Sequence, residues 1–287
     1  MSRIAYVNGR FVRRIEAGVS IEDRGFQFAD GVYEVWAVLD GRLADLEGHL
    51  ARLERSLSEL AIAPPMSRAA LIQVLRETVR RNRVRDGIVY LQITRGTARR
   101  DHAFPAPHTV PTVVATARAV DFTAEAAKAA RGVAVVTLPE NRWGRCDIKT
   151  VGLLPNVLAK QAAREAGAYE AWFVDGEGRV TEGASTNAWI VDREGRLRTR
   201  DTGANILRGI TRKTLIDLAA ELQMPVLEAP FTVAEAKVAA EAFVTAASAF
   251  VIPVVAIDGA PVGEGRPGPV ATRLRSLYLD QARTTAV

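Results

Sequence analysis

Residues 145–156 read RCDIKTVGLLPN, and how this stretch is understood governs the rest of the chain. Ile148, Val151, Leu153 and Leu154 are apolar, so Lys149 emerges from a partly buried strand end or loop, and Pro155 suits the first turn of a helix that follows. Lys and Arg total 38, yet only Lys128, Lys149, Lys160, Lys213 and Lys237 are lysine. A chain that uses arginine for nearly all its positive charge keeps a primary amine at 149. Most lysines are simply solvated. The alternative is chemical: a desolvated amine beside another cation, here Arg145, gives up its proton more readily and becomes a nucleophile toward carbonyls, which is Schiff-base chemistry.

After Lys149, PNVLAKQAAREAGA predicts a helix, and EAWFVDGEGRVTEG and TNAWIVDREGRLRT predict strand pairs. ITRKTLIDLAAELQ is a further helix, and EAFVTAASAFVIPVVAIDG reads as strand, small-residue turn, strand. Before Lys149, Asn8-Gly9 and Asp40-Gly41 mark two tight hairpins. Leu50, Leu53, Leu57 and Leu60 recur at helical spacing, and Ser67 is positioned to cap a second helix. GIVYLQITRG and TVPTVVATARAV follow as strands. The alanine-rich stretch from Asp121 to Gly132 has no strand pattern, and a boundary is drawn at its start. The expected fold is α+β in two unequal domains, residues 1–120 and 121–287.

At 287 residues, 48% hydrophobic and 25% charged, the composition is that of a soluble globular protein. No apolar run approaches the ~20 residues that span a bilayer, and the N-terminus lacks an apolar signal core, so no membrane association is expected. One cysteine rules out an internal disulfide framework and points to the cytoplasm. The net charge of +5 is spread over mixed-sign segments such as RLERSLSELA, which argues against a nucleic-acid partner. No metal-ligand spacing is present.

Three further stretches carry chemistry. Glu182, in GRVTEGASTNAW, is either an ordinary turn carboxylate or one held to pair with a ring nitrogen. The small residues Gly183, Ala184, Ser185 and Thr186 would let a flat ligand approach the backbone. In ILRGITRKTL, Gly209, Ile210 and Thr211 open a helix whose free N–H groups suit a phosphate, or Thr211 is a plain N-cap. Arg52 is a second phosphate candidate, or faces solvent. In TRGTARRDHAFP, Arg100 and His102 lie two apart and so point to one side of an extended segment. With Tyr33 they would make a carboxylate trap, although spacing alone favours a solvated basic loop.

In order, DGVYE, HLARLERS, TRGTARRDHAFP, RCDIKTVGLLPNVLAKQAA, VTEGASTN and ILRGITR resemble the fold-type IV pyridoxal-phosphate (PLP) aminotransferases, the branched-chain and D-amino-acid group. The Arg-x-His pair and RCDIK with LLPNVLAKQ look most like the D-amino-acid members. The resemblance implies a PLP site between two unequal domains. Lys149 would carry PLP and move the proton at the substrate Cα, and Glu182 would pair with the pyridine nitrogen. Arg52, Ile210 and Thr211 would hold the phosphate. Ser185, Thr186, Asn187, Leu207, Gly209, Ala247 and Ser248 would line the cofactor site. Tyr33, Arg100 and His102 would grip the substrate carboxylate, the last two from the neighbouring subunit of a homodimer. The implied reaction passes an amino group from a D-amino acid such as D-alanine to a 2-oxo acid such as 2-oxoglutarate.

One position departs from the family pattern. Many relatives carry a threonine in the turn between the last two long strands, where this chain has Ala247. Only the backbone N–H groups of Ala247 and Ser248 would then donate there. Branched-chain L-aminotransferase, aminodeoxychorismate lyase and (R)-amine transaminase are the sibling activities. A non-catalytic PLP carrier or a basic binding protein on the same fold is the reading from a different class.

Overall fold

The computed structural model describes residues 3–203 and 205–287. They fall into two compact units. Unit 1 runs to Phe122 and includes Ile148–Gly152 and Ala282–Val287; unit 2 comprises Thr123–Asp147 and Leu153–Gln281. Lys149 is therefore grouped with unit 1.

In unit 1 the strands are β1 (Ile4–Val7), β2 (Arg10–Arg13), β3 (Gly31–Leu39), β4 (Arg42–Leu43), β5 (Gly87–Thr94) and β6 (Thr112–Ala119). The helices are α1 (Arg24–Phe28), α2 (Leu46–Glu59) and α3 (Arg68–Arg81). The strands form one sheet in the order β2-β1-β6-β5-β3-β4. Both expected hairpins are present. Asn8, Gly9, Asp40 and Gly41 all have positive φ, as two-residue turns matched to the strand twist require. Ser67 caps α3, accepting from the Ala70 N–H at 3.3 Å. Leu50, Leu53 and Leu57 of α2 are buried with Val32, Trp36 and Val38, which alternate on one face of β3.

Unit 2 holds β7 (Val133–Pro139), α5 (Leu154–Glu165), β8 (Glu170–Val174), β9 (Val180–Gly183), β10 (Asn187–Val191) and β11 (Leu197–Thr199). It continues with α6 (Ile210–Glu221), β12 (Val226–Glu228), α7 (Val233–Lys237), β13 (Glu241–Ala246), β14 (Phe250–Ile257) and β15 (Ala260–Pro261). Its sheet runs β12-β11-β10-β13-β14-β7-β8-β9, with β15 on β14. The alanine-rich stretch after Asp121 is helix α4 (Phe122–Arg131), in keeping with alanine's helix propensity. The last helix, α8 (Pro269–Thr285), has no counterpart in the sequence reading. Among the described residues, no helix is long and apolar enough to cross a membrane.

Candidate active site

The residues of interest in unit 1 are organised by β3. The segment around Lys149 lies along the start of this strand: the Tyr33 N–H donates to the Lys149 carbonyl at 3.0 Å, and the Val151 N–H donates to the Gly31 carbonyl at 3.1 Å. Thr150 bridges Val32, and Ile148 is buried in the unit 1 core. The backbone on both sides of Lys149 is thus fixed. Its Nζ sits 4.2 Å from the centroid of the Tyr33 ring, a cation–π contact that holds the amine over β3. Tyr33 stacks in turn on Tyr90, 5.5 Å between centroids. The Tyr90 phenol donates to Gln92 at 2.7 Å, and burial raises its pKa to about 12, so it stays protonated.

Alternation along β3 sends Glu34 to the opposite face, into the core. A buried carboxylate needs partners, and α2 supplies two, one turn apart. Arg52 donates to Glu34 through Nε at 2.7 Å and a terminal nitrogen at 2.8 Å, and His49 Nδ1 lies 2.8 Å from the same carboxylate. Burial alone would raise the Glu34 pKa; Arg52 and His49 hold it far below the carboxylate range instead. The structure therefore places Arg52 in a buried ion pair. A carboxyl with a depressed folded pKa stabilises above its unfolded pKa of about 4.3 and loses that contribution as pH falls. Glu34→Gln is expected to cost about 3–5 kcal/mol at neutral pH, because the buried Arg52 loses the carboxylate charge it is bonded to. The wild type should lose stability more steeply than the variant below about pH 4.3, as read by urea unfolding across an acid series.

Arg100 and His102 are exposed. Both lie against Phe28 of α1, at 4.7 Å for the guanidinium and 5.3 Å between rings. They do point to one side, as their spacing predicts, but they meet at Phe28, while Tyr33 sits with Lys149 and Tyr90.

In unit 2 the centre is Glu182, buried in β9. Its carboxylate accepts from a terminal nitrogen of Arg142, from Asn187 Nδ2 at 2.9 Å and from the Leu207 N–H at 3.1 Å. These donors suit a negative charge. Asn187 also donates to the Leu207 carbonyl at 2.9 Å, tying β10 to the chain that leads into α6. A Cβ on Gly209 would come within 1.9 Å of Asn187 Oδ1, so glycine is needed there for this packing. Gly209 is the N-cap of α6, and no side chain caps that end. Thr211 is the second helical residue and not the cap; it is buried, with its hydroxyl 3.4 Å from the Tyr278 phenol. Ile210 opens the helix. The Ser185 hydroxyl donates to Glu170 at 2.7 Å, whereas the buried Thr186 hydroxyl has no hydrogen-bond partner among the described residues. Ala247 and Ser248 lie in the turn between β13 and β14.

Arg142 was missed by the sequence reading. It is buried between two carboxylates, donating to Glu140 as well as to Glu182, with its guanidinium 4.5 Å from the Phe173 centroid. Burial would raise the Glu140 pKa, yet the bonds from Arg142 and Thr181 keep it low. Arg142 lies in an irregular loop some forty residues from Glu182, so no periodicity or local motif marked it. Arg145, expected as a cation for Lys149, forms a two-bond pair with Asp147 at 2.9 and 3.0 Å. Burial raises the Cys146 pKa to about 11, so it remains a thiol near neutral pH.

The class IV amino-transferase family model matches residues 31–257. A D-alanine aminotransferase of Bacillus licheniformis is 42% identical over 282 residues, covering 97% of this chain and 98% of its own. That of Staphylococcus haemolyticus is 41% identical over 270 residues, 94% of each chain. Among solved structures, the Escherichia coli branched-chain amino acid aminotransferase superposes with a TM-score of 0.89 at 25% identity, covering 98% of this chain and 95% of its own. A T.th. branched-chain amino acid aminotransferase, solved with pyridoxamine 5′-phosphate, superposes with 0.88 at 30% identity, covering 98% and 94%.

Proposed function

This chain belongs to the class IV aminotransferases, and on that footing we propose that it transfers the amino group of a D-amino acid to a 2-oxo acid, with PLP held by Lys149. The observation that carries the D-amino-acid half is the identity above 40% to two D-alanine aminotransferases across nearly the whole chain.

The residues fit PLP on structural grounds. The first turn of α6 has no side-chain cap, the buried Thr186 hydroxyl lacks a partner among the described residues, and Glu182 is surrounded by donors that suit a negative charge. PLP, when bound, supplies the electron sink that makes the substrate Cα–H acidic. In this reading Lys149 would hold the cofactor through Nζ, and its amine would move the proton at the substrate Cα. Tyr33 would orient that amine through its ring. Glu182 stands for the partner of the pyridine nitrogen, and Arg142, Asn187 and Leu207 keep its carboxylate in place. The N–H groups of Ile210 and Thr211, aided by the helix dipole, would hold the phosphate, with those of Ala247 and Ser248 as further donors. Arg52 would also hold the phosphate, with its Nε and one terminal nitrogen fixed by Glu34.

We read Arg100 and His102 as the carboxylate grip of a homodimer, presented to the neighbouring copy. Their exposure supports this, as do exposed apolar side chains such as Ile21, Phe26 and Phe104 in unit 1 and Leu154, Val157 and Leu158 in unit 2. We keep a two-domain division near residue 120, with the Lys149 segment grouped with unit 1, and a cytoplasmic setting consistent with the single cysteine.

A branched-chain L-amino acid reading is the second one, favoured by the solved structures that share the fold. A half-reaction separates the two. The protein is loaded with PLP, and the visible band of the lysine-bound cofactor is followed after D-alanine, L-leucine or (R)-1-phenylethylamine is added without an acceptor. Fast loss with D-alanine alone is expected. Loss with L-leucine instead would move the substrate to the branched-chain side, and no band at all with excess PLP would remove the PLP reading.

A further inference from the structure

The hairpin of β13 and β14 ends in a turn whose last paired residues are Ala246 and Phe250. Phe250 has φ +63, in the left-handed region that a bulky residue with a Cβ rarely adopts. The carbonyls on either side of it accept from one nitrogen of Arg275: Ala249 at 2.9 Å and Val251 at 2.6 Å. Arg275 is buried on α8. Burying a guanidinium to bond two backbone carbonyls is costly, and here those two bonds hold the turn in a disfavoured conformation. One helical turn further along α8, Tyr278 packs its ring 5.8 Å from Phe250 and brings its phenol 3.4 Å from the Thr211 hydroxyl. Two residues of α8 therefore reach two separate pieces of unit 2: the turn with Ala247 and Ser248, and the uncapped start of α6.

We infer that Arg275 and Tyr278 are positioning residues for the phosphate end of the cofactor site, the first through the Ala247–Ser248 turn and the second through the Thr211 hydroxyl. This rests on the PLP reading above. Alanine at 247 sharpens the argument. With no hydroxyl there, that position has only its backbone N–H to offer, and the direction of the N–H depends wholly on how the turn is held. At Thr211, a hydroxyl that gives its proton to a phosphate oxygen can accept one from the Tyr278 phenol, so the pair can work in series.

The test compares PLP with pyridoxal, which lacks the phosphate, on the full chain stripped of cofactor, reading the visible band of the lysine-bound compound. Tyr278→Phe removes one oxygen and little else. It should raise the Kd for PLP about 3–10-fold, the worth of one net hydrogen bond, and leave pyridoxal binding within roughly twofold. Arg275→Met should weaken PLP about tenfold or more by leaving two carbonyls unpaired, and Arg275→Lys should restore part of it. If Tyr278→Phe and Arg275→Lys weaken PLP and pyridoxal equally, or change neither, the inference is overturned. Failure of the wild-type chain to bind either compound would sink the PLP reading and this inference together, and the wild-type titration alone distinguishes that result from the variant outcomes.

Discussion

Lys149→Arg is expected to abolish turnover while leaving the fold intact. Arginine can make the same contact with the Tyr33 ring, and the backbone bonds that anchor this segment, from the Tyr33 N–H to the residue 149 carbonyl and from the Val151 N–H to the Gly31 carbonyl, do not involve the side chain. Stability should therefore change by no more than about 1 kcal/mol, the range for substitutions that break no buried contact. Only the primary amine is lost, and with it, under the role proposed for Lys149, both the attachment of the cofactor and the group that moves the Cα proton. Loss of the proton transfer alone is worth about 10²–10⁴-fold in rate, and loss of the attachment adds to it. The visible band of the lysine-bound cofactor should vanish as well. Borohydride reduction of the wild type followed by peptide mass analysis should place the cofactor on Lys149. A label on Lys160 or another lysine, or a variant that keeps the band, would sink the assignment.

Arg142→Met should produce the largest stability loss of any single change near Glu182. The guanidinium is buried and stands between Glu140 and Glu182. Its removal leaves two carboxylates facing an apolar side chain, and breaking a buried pair in this way costs about 3–5 kcal/mol. Activity should fall too, up to about 10²-fold, because a displacement of about 1 Å in the group proposed to meet the cofactor has that effect. A double-mutant cycle separates the two consequences. Arg142→Met combined with Glu182→Gln should recover part of the stability, since one of the stranded charges is gone, and none of the activity. Additive stability losses in denaturant unfolding would mean that Arg142 and Glu182 are not coupled, and the role given to Arg142 would fall.

The way these residues are assembled explains which of them could be seen in the chain beforehand. Hairpins at Asn8-Gly9 and Asp40-Gly41, the leucine spacing of α2, the cap at Ser67 and Pro155 at the start of α5 are local patterns, and local patterns are written in neighbouring residues. Helix α8 was not read, and its contacts run to the β13–β14 turn and to Thr211, far away in sequence. Lys149 and Glu182 stood out because an isolated lysine in an apolar setting and a carboxylate before a small-residue turn are visible one at a time. Their surroundings were not. The pairing of Arg52 with Glu34 was not visible because nothing near it in sequence shows that β3 turns Glu34 inward, where α2 must answer it. Arg142 lies in a loop without periodicity and gains its meaning only from Glu182.

Periodicity, turn chemistry and an amine at 149 are properties of the chain alone, because they depend on backbone sterics and side-chain type over a few residues. Folding was needed to bring the Lys149 segment alongside β3, to join Glu34 and Arg52 in the core, and to surround Glu182 with Arg142, Asn187 and Leu207. Most of these contacts join residues well apart in the chain. Whether a buried charge finds its partner is settled only when the sheet has chosen its faces and the helices have covered them.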